Sequence, residues 1–177
     1  MSKESLAAAL RKIPDFPIEG IIFMDITSLL QNPETFREII DATYETYKDK
    51  GITKVVGIES RGFIVGAALA YKLGAGFIPA RKPGKLPYKT VSQEYQKEYG
   101  TDSIEIHEDA ITPDDVVLIH DDLIATGGSA AAAVELVKKF SPKKIYANFI
   151  IELTDLPGRA NIPADVEVDS LLAMKEK

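Results

Sequence analysis

Asp121 and Asp122 stand side by side at the end of an apolar run, and Thr126, Gly127, Gly128 and Ser129 follow them at the head of an alanine-rich run. The two groups suit different parts of one ligand. A helix opening at the glycines would offer unpaired backbone N–H groups and the positive end of its dipole to a phosphate. Gly127 and Gly128 would let the chain approach it closely, while Thr126 and Ser129 add hydroxyl donors. Carboxylates would repel that same anion, so they must face donors, either sugar hydroxyls or a hydrated Mg²⁺ brought by the ligand. Acid pair plus cradle matches a ribose 5-phosphate in size. A second anion-binding candidate is "ARKPGKLPYK", Ala80 to Lys89, the one conspicuously basic stretch.

Competing chemistries lack their residues. No G-x-G-x-x-G follows the first strand, and G-x-x-x-x-G-K-S/T, H-E-x-x-H and G-x-S-x-G are absent. Two histidines and no cysteine argue against a histidine triad, exclude a thiolate site, and fit a reducing, cytoplasmic setting. His107, beside Glu108 and Asp109, is expected in a surface turn. His120, closing a buried strand, is expected to be a hydrogen-bonded spacer within reach of Asp121. The net charge of −6 opposes a broad nucleic-acid footprint, which works by neutralising many phosphates. No apolar run approaches the ~20 residues of a membrane span. Met1 to Ile13 reads as a first helix, its apolar positions broken by Lys and Arg, and not as a secretion signal.

A repeated strand–helix alternation must position these groups. Asn32-Pro33-Glu34 supplies a cap, a first-position proline and a first-turn acid for a helix with Phe36, Ile39, Ile40, Tyr44 and Tyr47 on one face, ended by Gly51. Lys54 to Ser60 is a buried strand, Ser60-Arg61-Gly62 opens a helix closing near Gly74, and "GFIPA", "DVVLIH" and "KIYANFIIEL" are further strands. The pattern predicts an α/β fold, a parallel sheet with helices on both faces, with the loops after the strands on one rim. The acid pair and Arg61 both fall there. The 177 residues fit one domain, 1–177. From Lys82 onward a polar, tyrosine-rich connection is long enough to be a functional flap.

The stretch "VVLIHDDLIATGGSAAA", Val116 to Ala132, resembles the phosphoribosyl-pyrophosphate signature of type I phosphoribosyltransferases. "DDLIATGGS" is similar to the adenine branch, because 6-oxopurine enzymes carry an aspartate where this chain has Ala125. Four more segments agree in the family's order: "IPDFPIEGIIFMDIT" from Ile13, "ESRGF" from Glu59, "RKPGKLP" from Arg81 and "EYG" from Glu98. The resemblance implies the fold above, with residues 1–30 covering the base and residues 82–106 forming the flap. It also implies purine salvage, in which the 5-phosphoribosyl group passes from phosphoribosyl pyrophosphate to adenine N9, giving AMP and pyrophosphate. Mg²⁺ would ride on the pyrophosphate, with no direct protein ligand, touching Asp121 or Asp122 through water. A homodimer is implied too, since in related enzymes an arginine at or near Arg81 comes from the second subunit.

By the same resemblance, Asp121 and Asp122 hold the ribose hydroxyls, and Ala125, Thr126, Gly127, Gly128 and Ser129 wrap the 5-phosphate. Arg61 meets the pyrophosphate behind a Glu59–Ser60 peptide that is often cis in the family, aided by Arg81, Lys82 and Lys85. Phe23 and Leu123 sandwich adenine, and the backbone of Ile22 reads its amine and N1 edge. Glu98 handles the base proton from the flap, next to Tyr99 in the substrate-binding set. Met24 stands where the family commonly has a cation, which puts a contact to the base or sugar edge in question, and Pro83 stiffens the flap root. Two alternatives stay open. One is transfer to hypoxanthine, guanine or xanthine. The other is a phosphoribosyl-pyrophosphate-sensing regulator, which would need a DNA-binding appendage where only one short helix precedes Ile13.

Overall fold

The computed structural model describes residues 2–97 and 99–177; Glu98 lies outside the described residues. The N-terminal segment comprises α1 (Lys3–Ala9), β1 (Arg11–Pro14), β2 (Ile22–Asp25) and the short α2 (Thr27–Leu30), with β1 and β2 paired antiparallel. Alternation along β2 turns Met24 into a core cluster with Leu6, Leu10, Ile26 and Leu29 and leaves Ile22 and Phe23 half-buried. The Met24 side chain therefore serves packing and is directed into the core.

Helix α3 (Pro33–Tyr47) starts as its sequence demands, with the Asn32 side chain accepting from Glu34 N–H and proline in the first turn. Ile39 and Tyr47 are buried, whereas Phe36, Ile40 and Tyr44 are half-buried. Thr35 and Thr43 complete the inward stripe because their hydroxyls return to the carbonyls of Leu29 and Ile39 at 2.5 and 2.8 Å. After it come β3 (Lys54–Ile58), α4 (Gly62–Leu73) and β4 (Gly76–Ala80). Gly74 caps α4 at φ 70°, a left-handed conformation suited to glycine.

Residues of the expected flap form an antiparallel hairpin, β5 (Thr90–Gln96) and β6 (Thr101–His107), registered from Thr90 opposite His107 to Gln96 opposite Thr101. Polar outward residues hide its period of two. Inward, Ile104 and Ile106 are buried and Val91 and Tyr95 pack against the same core. Most of the described part of segment 82–106 is thus part of the folded body. His107 ends β6, half-buried, with its ring edge-on to Tyr88 at 6.0 Å, which corrects the surface-turn expectation.

The chain continues through β7 (Val116–Ile124), α5 (Gly128–Lys138), β8 (Lys144–Leu153), a 3-10 turn (Arg159–Asn161) and β9 (Glu167–Met174). Five strands make one parallel sheet in the order β4-β3-β7-β8-β9. α3 and α4 cover one face, and α5 with the hairpin covers the other. β7 is longer than its apolar run suggests. It stays in register with β8 through Asp121 opposite Phe149 and Leu123 opposite Ile151, so the acid pair sits on a hydrogen-bonded ladder and α5 begins only at Gly128. β3 stops at Ile58, two residues short of its expected end.

Candidate active site

At the carboxyl end of β7 the chain turns through Ala125, Thr126 and Gly127 into α5. Gly127 has φ 83°, and a Cβ there would lie 2.6 Å from the carbonyl oxygen of Gly158. Only glycine fits. The N–H groups of the first turn of α5 have no partner within the helix, and they open onto a cleft of about 610 Å³. The described residues lining it include Arg61, Asp121, Asp122, Leu123, Ala125, Thr126, Gly127, Gly128 and Ser129. Every residue expected to wrap a phosphate is therefore in one place. The cleft also takes Tyr95, Gln96 and Lys97 from the hairpin, which the sequence did not single out.

A neighbouring cleft of about 410 Å³ shares Arg61, Asp121 and Asp122 with the first and adds Glu59, Ser60, Arg81, Lys82 and Lys85. The Glu59–Ser60 peptide is cis, as the resemblance implied. Each cation here has a carboxylate partner. Arg61 Nε donates to Asp122 at 2.5 Å. Arg81 Nε and Lys85 Nζ donate to the two oxygens of Glu59, each at 2.8 Å. Lys82 pairs with Asp102, which Lys97 joins at 2.6 Å. Burial alone would raise the Glu59 pKa, but the bonds from Lys85 and Arg81 outweigh it and hold the carboxyl below its usual range. Lys82 first, then Lys97, hold Asp102 well below that range. Arg81 thus lies in its own chain's cleft. Glu59 and Asp102 were not foreseen as counter-charges, since nothing local in the sequence pairs Glu59 with Arg81 and Lys85, or Asp102 with Lys82, twenty or more positions away.

The acid pair is electrostatically divided. Burial, followed by the charge of Asp122, raises the pKa of Asp121 well above the ordinary carboxylate range, whereas Asp122 is the partner of Arg61. His120 beneath them is fully buried, and its Nδ1 meets Asn148 Oδ1 at 2.9 Å. The spacer role stands, but the partner is Asn148 and not Asp121, and the ring's Cδ2 lies 3.5 Å from where a Cβ on Gly66 of α4 would stand. Burial pushes the imidazole down to about 4. Among the described residues no group of three or more His, Cys, Asp or Glu could hold a metal alone. Asp121 and Asp122 supply the hard oxygen donors that suit a hydrated Mg²⁺.

On the N-terminal side, the Phe23 ring lies under the Arg61 guanidinium at 5.4 Å and edge-on to Phe16 at 5.2 Å. Ile22 stands opposite Pro14, which has no N–H to give its carbonyl. Phe23 thus sits beside the cleft through Arg61, Ile22 packs against the core cluster that holds Met24, and neither lines a cavity, while Leu123 lines the first. Tyr99 is exposed and lines neither.

Three comparisons bear on this geometry. Residues 25–156 match the model of the phosphoribosyl transferase domain. The adenine phosphoribosyltransferase of Phocaeicola vulgatus is 64% identical over 174 residues, 98% of this chain and 100% of that protein. The crystal structure of the adenine phosphoribosyltransferase of Rhodothermus marinus superposes with a TM-score of 0.92 at 54% identity, covering 97% and 98% of the two chains. That of Saccharomyces cerevisiae, complexed with an imino-altritol bisphosphate and adenine, gives 0.90 at 44% identity over 96% and 97%.

Proposed function

We propose a division of the reaction among these residues on the premise that the chain belongs to the phosphoribosyl transferase family and, within it, to the adenine phosphoribosyltransferases. It transfers the 5-phosphoribosyl group of phosphoribosyl pyrophosphate to adenine, giving AMP and pyrophosphate. The observation that carries the division is the meeting of two clefts at Arg61, Asp121 and Asp122: one rimmed by helix N–H groups and glycines, the other by four cations.

The 5-phosphate binds at Ala125 to Ser129, where N–H donors and the helix dipole favour it. Asp121 and Asp122 accept from the ribose hydroxyls on a strand that cannot shift without breaking its ladder. Pyrophosphate lies in the second cleft, where Arg61, Arg81, Lys82 and Lys85 leave their carboxylates for it and stabilise the charge that develops as the C1–O bond breaks. Adenine stacks on Phe23 with Leu123 on its other face, and N9 attacks the anomeric carbon. Glu98 takes up the proton of the base, since Ala125 has no group for it; Lys97, its neighbour in sequence, lines the cleft. Mg²⁺ bound to the pyrophosphate, meeting Asp121 or Asp122 through water, would add charge neutralisation on the leaving group. The exposed Ile64 and Tyr71 on α4 support a homodimer. The lack of cysteine supports the cytoplasm as its compartment.

Glu98→Gln tests the assignment of the proton. Turnover with adenine should fall by about a hundredfold or more while phosphoribosyl-pyrophosphate binding stays close to wild type. Equal losses in both would make Glu98 a binding residue instead.

A further inference from the structure

The turn from Pro157 to Asn161 presses on the outer side of the phosphate loop, and one of its contacts sets the direction of a loop peptide. Asn161 Nδ2 donates to the carbonyl of Thr126 at 2.7 Å. A peptide unit is planar and trans, so the Thr126 C=O and the Gly127 N–H point in opposite directions. Holding the carbonyl outward holds that N–H toward the cleft, where a phosphate oxygen can accept it. With the peptide flipped, a carbonyl oxygen would face the anion and repel it. Glycine at position 127 is what makes such a flip open to the chain, because it tolerates both signs of φ. The residue that admits the phosphate therefore leaves the loop in need of an outside restraint.

The turn is itself fixed. Gly127 and Gly158 cross so closely that a Cβ on Gly158 would lie 2.5 Å from the carbonyl oxygen of Ala125. Arg159 donates Nε and Nη2 to Glu152 on β8 at 2.8 and 2.6 Å and Nη1 to the Val168 carbonyl on β9 at 2.7 Å. Ser170 adds a bond to the same carboxylate at 2.5 Å. We infer that Asn161 is a positioning residue for 5-phosphate recognition, acting through the Thr126–Gly127 peptide on a turn that Arg159 and Glu152 anchor to the sheet. The inference rests on the reading of the loop as the 5-phosphate site.

Two substitutions and a control test it in the full chain. Asn161→Leu keeps the shape and removes the donor without adding a charge, and Asn161→His keeps an N–H at similar reach. Asn161→Leu should weaken ribose 5-phosphate binding by calorimetry and raise KM for phosphoribosyl pyrophosphate, each by about tenfold, with KM for adenine within about twofold of wild type. Asn161→His should restore most of the loss. Asn161 is exposed, so both variants should melt alike. Ser129→Ala, inside the loop, reports on the phosphate reading itself. If Ser129→Ala weakens ribose 5-phosphate and Asn161→Leu does not, the inference fails and the reading survives. If neither does, both fail. A loss in Asn161→Leu that follows a lowered melting temperature and is not restored by histidine would make Asn161 merely structural and would also overturn the inference.

Discussion

Replacing Gly127 with alanine tests whether the loop is held by contact or only by backbone preference. The residue has φ 83°, and its new Cβ would sit 2.6 Å from Gly158 O and 2.9 Å from Gly158 Cα, so the two backbones must part by about 0.8 Å to reach ordinary contact at 3.4 Å. The turn carrying Gly158 cannot retreat freely while Arg159 is bonded to Glu152 and Val168. A non-glycine residue in the left-handed region costs about 1–2 kcal/mol, and overpacking of this kind about 1–3 kcal/mol more. The sum, about 2–5 kcal/mol, corresponds to a melting temperature lower by roughly 4–20 °C in a chain of this size. Gly74→Ala provides the comparison. Gly74 has φ 70° with nothing within 4 Å of its Cβ position, so only the backbone part, about 1–2 kcal/mol, should appear. Thermal and urea denaturation of both variants would be read beside KM for phosphoribosyl pyrophosphate, which should rise at least about tenfold in Gly127→Ala and stay unchanged in Gly74→Ala. Equal destabilisation of the two, or an unaltered KM in Gly127→Ala, would refute the packing argument.

Two pH effects follow from the buried groups. Asp121 has a folded pKa raised by burial and by Asp122. The stability it contributes is therefore full below the unfolded value near 4 and is lost as pH rises through the folded one. Asp121→Asn escapes that loss, and its melting temperature relative to wild type should climb as pH rises above about 4; a constant difference would contradict the repulsion. His120 runs the other way. Its folded pKa is lowered to about 4, so the stability of the neutral ring is full above ~6.5 and declines as pH falls toward the folded value. Nitrogen NMR should show the ring at position 120 still neutral at about pH 5.5, and finding it already protonated there would remove the basis for the effect.

What was legible in the sequence was local. Asp121, Asp122 and the glycines of the phosphate loop are neighbours along the chain, and the strand before them announces itself by its β-branched run. Asn32, Pro33 and Gly74 mark helix ends by chemistry that needs no tertiary partner. The hairpin was harder, because its residues are mostly polar and only Val91, Tyr95, Ile104 and Ile106 mark an inward face. Residues that act across the fold were not visible at all. Gly158 and Asn161 look like ordinary turn formers in "LPGRAN", and only the sheet brings that turn behind the loop. Met24 and His120 were judged by position in a motif, while strand alternation decides where their side chains go. The partners of Arg81 and Lys82, Glu59 and Asp102, are likewise products of the fold.

The pairing of every cation in the second cleft with a carboxylate of the same chain has a consequence for traffic through the site. A pocket of bare lysines and arginines would retain any polyanion that diffused in, including inorganic phosphate and nucleotides in excess over the substrate. Here an anion meets the negative charge of Glu59, Asp102 and Asp122 together with the cations, so weak, single contacts are unrewarding and a ligand that engages several cations at once is favoured. After the reaction the same carboxylates stand ready to reclaim their partners as pyrophosphate departs, which makes the empty site a competitor of its own product.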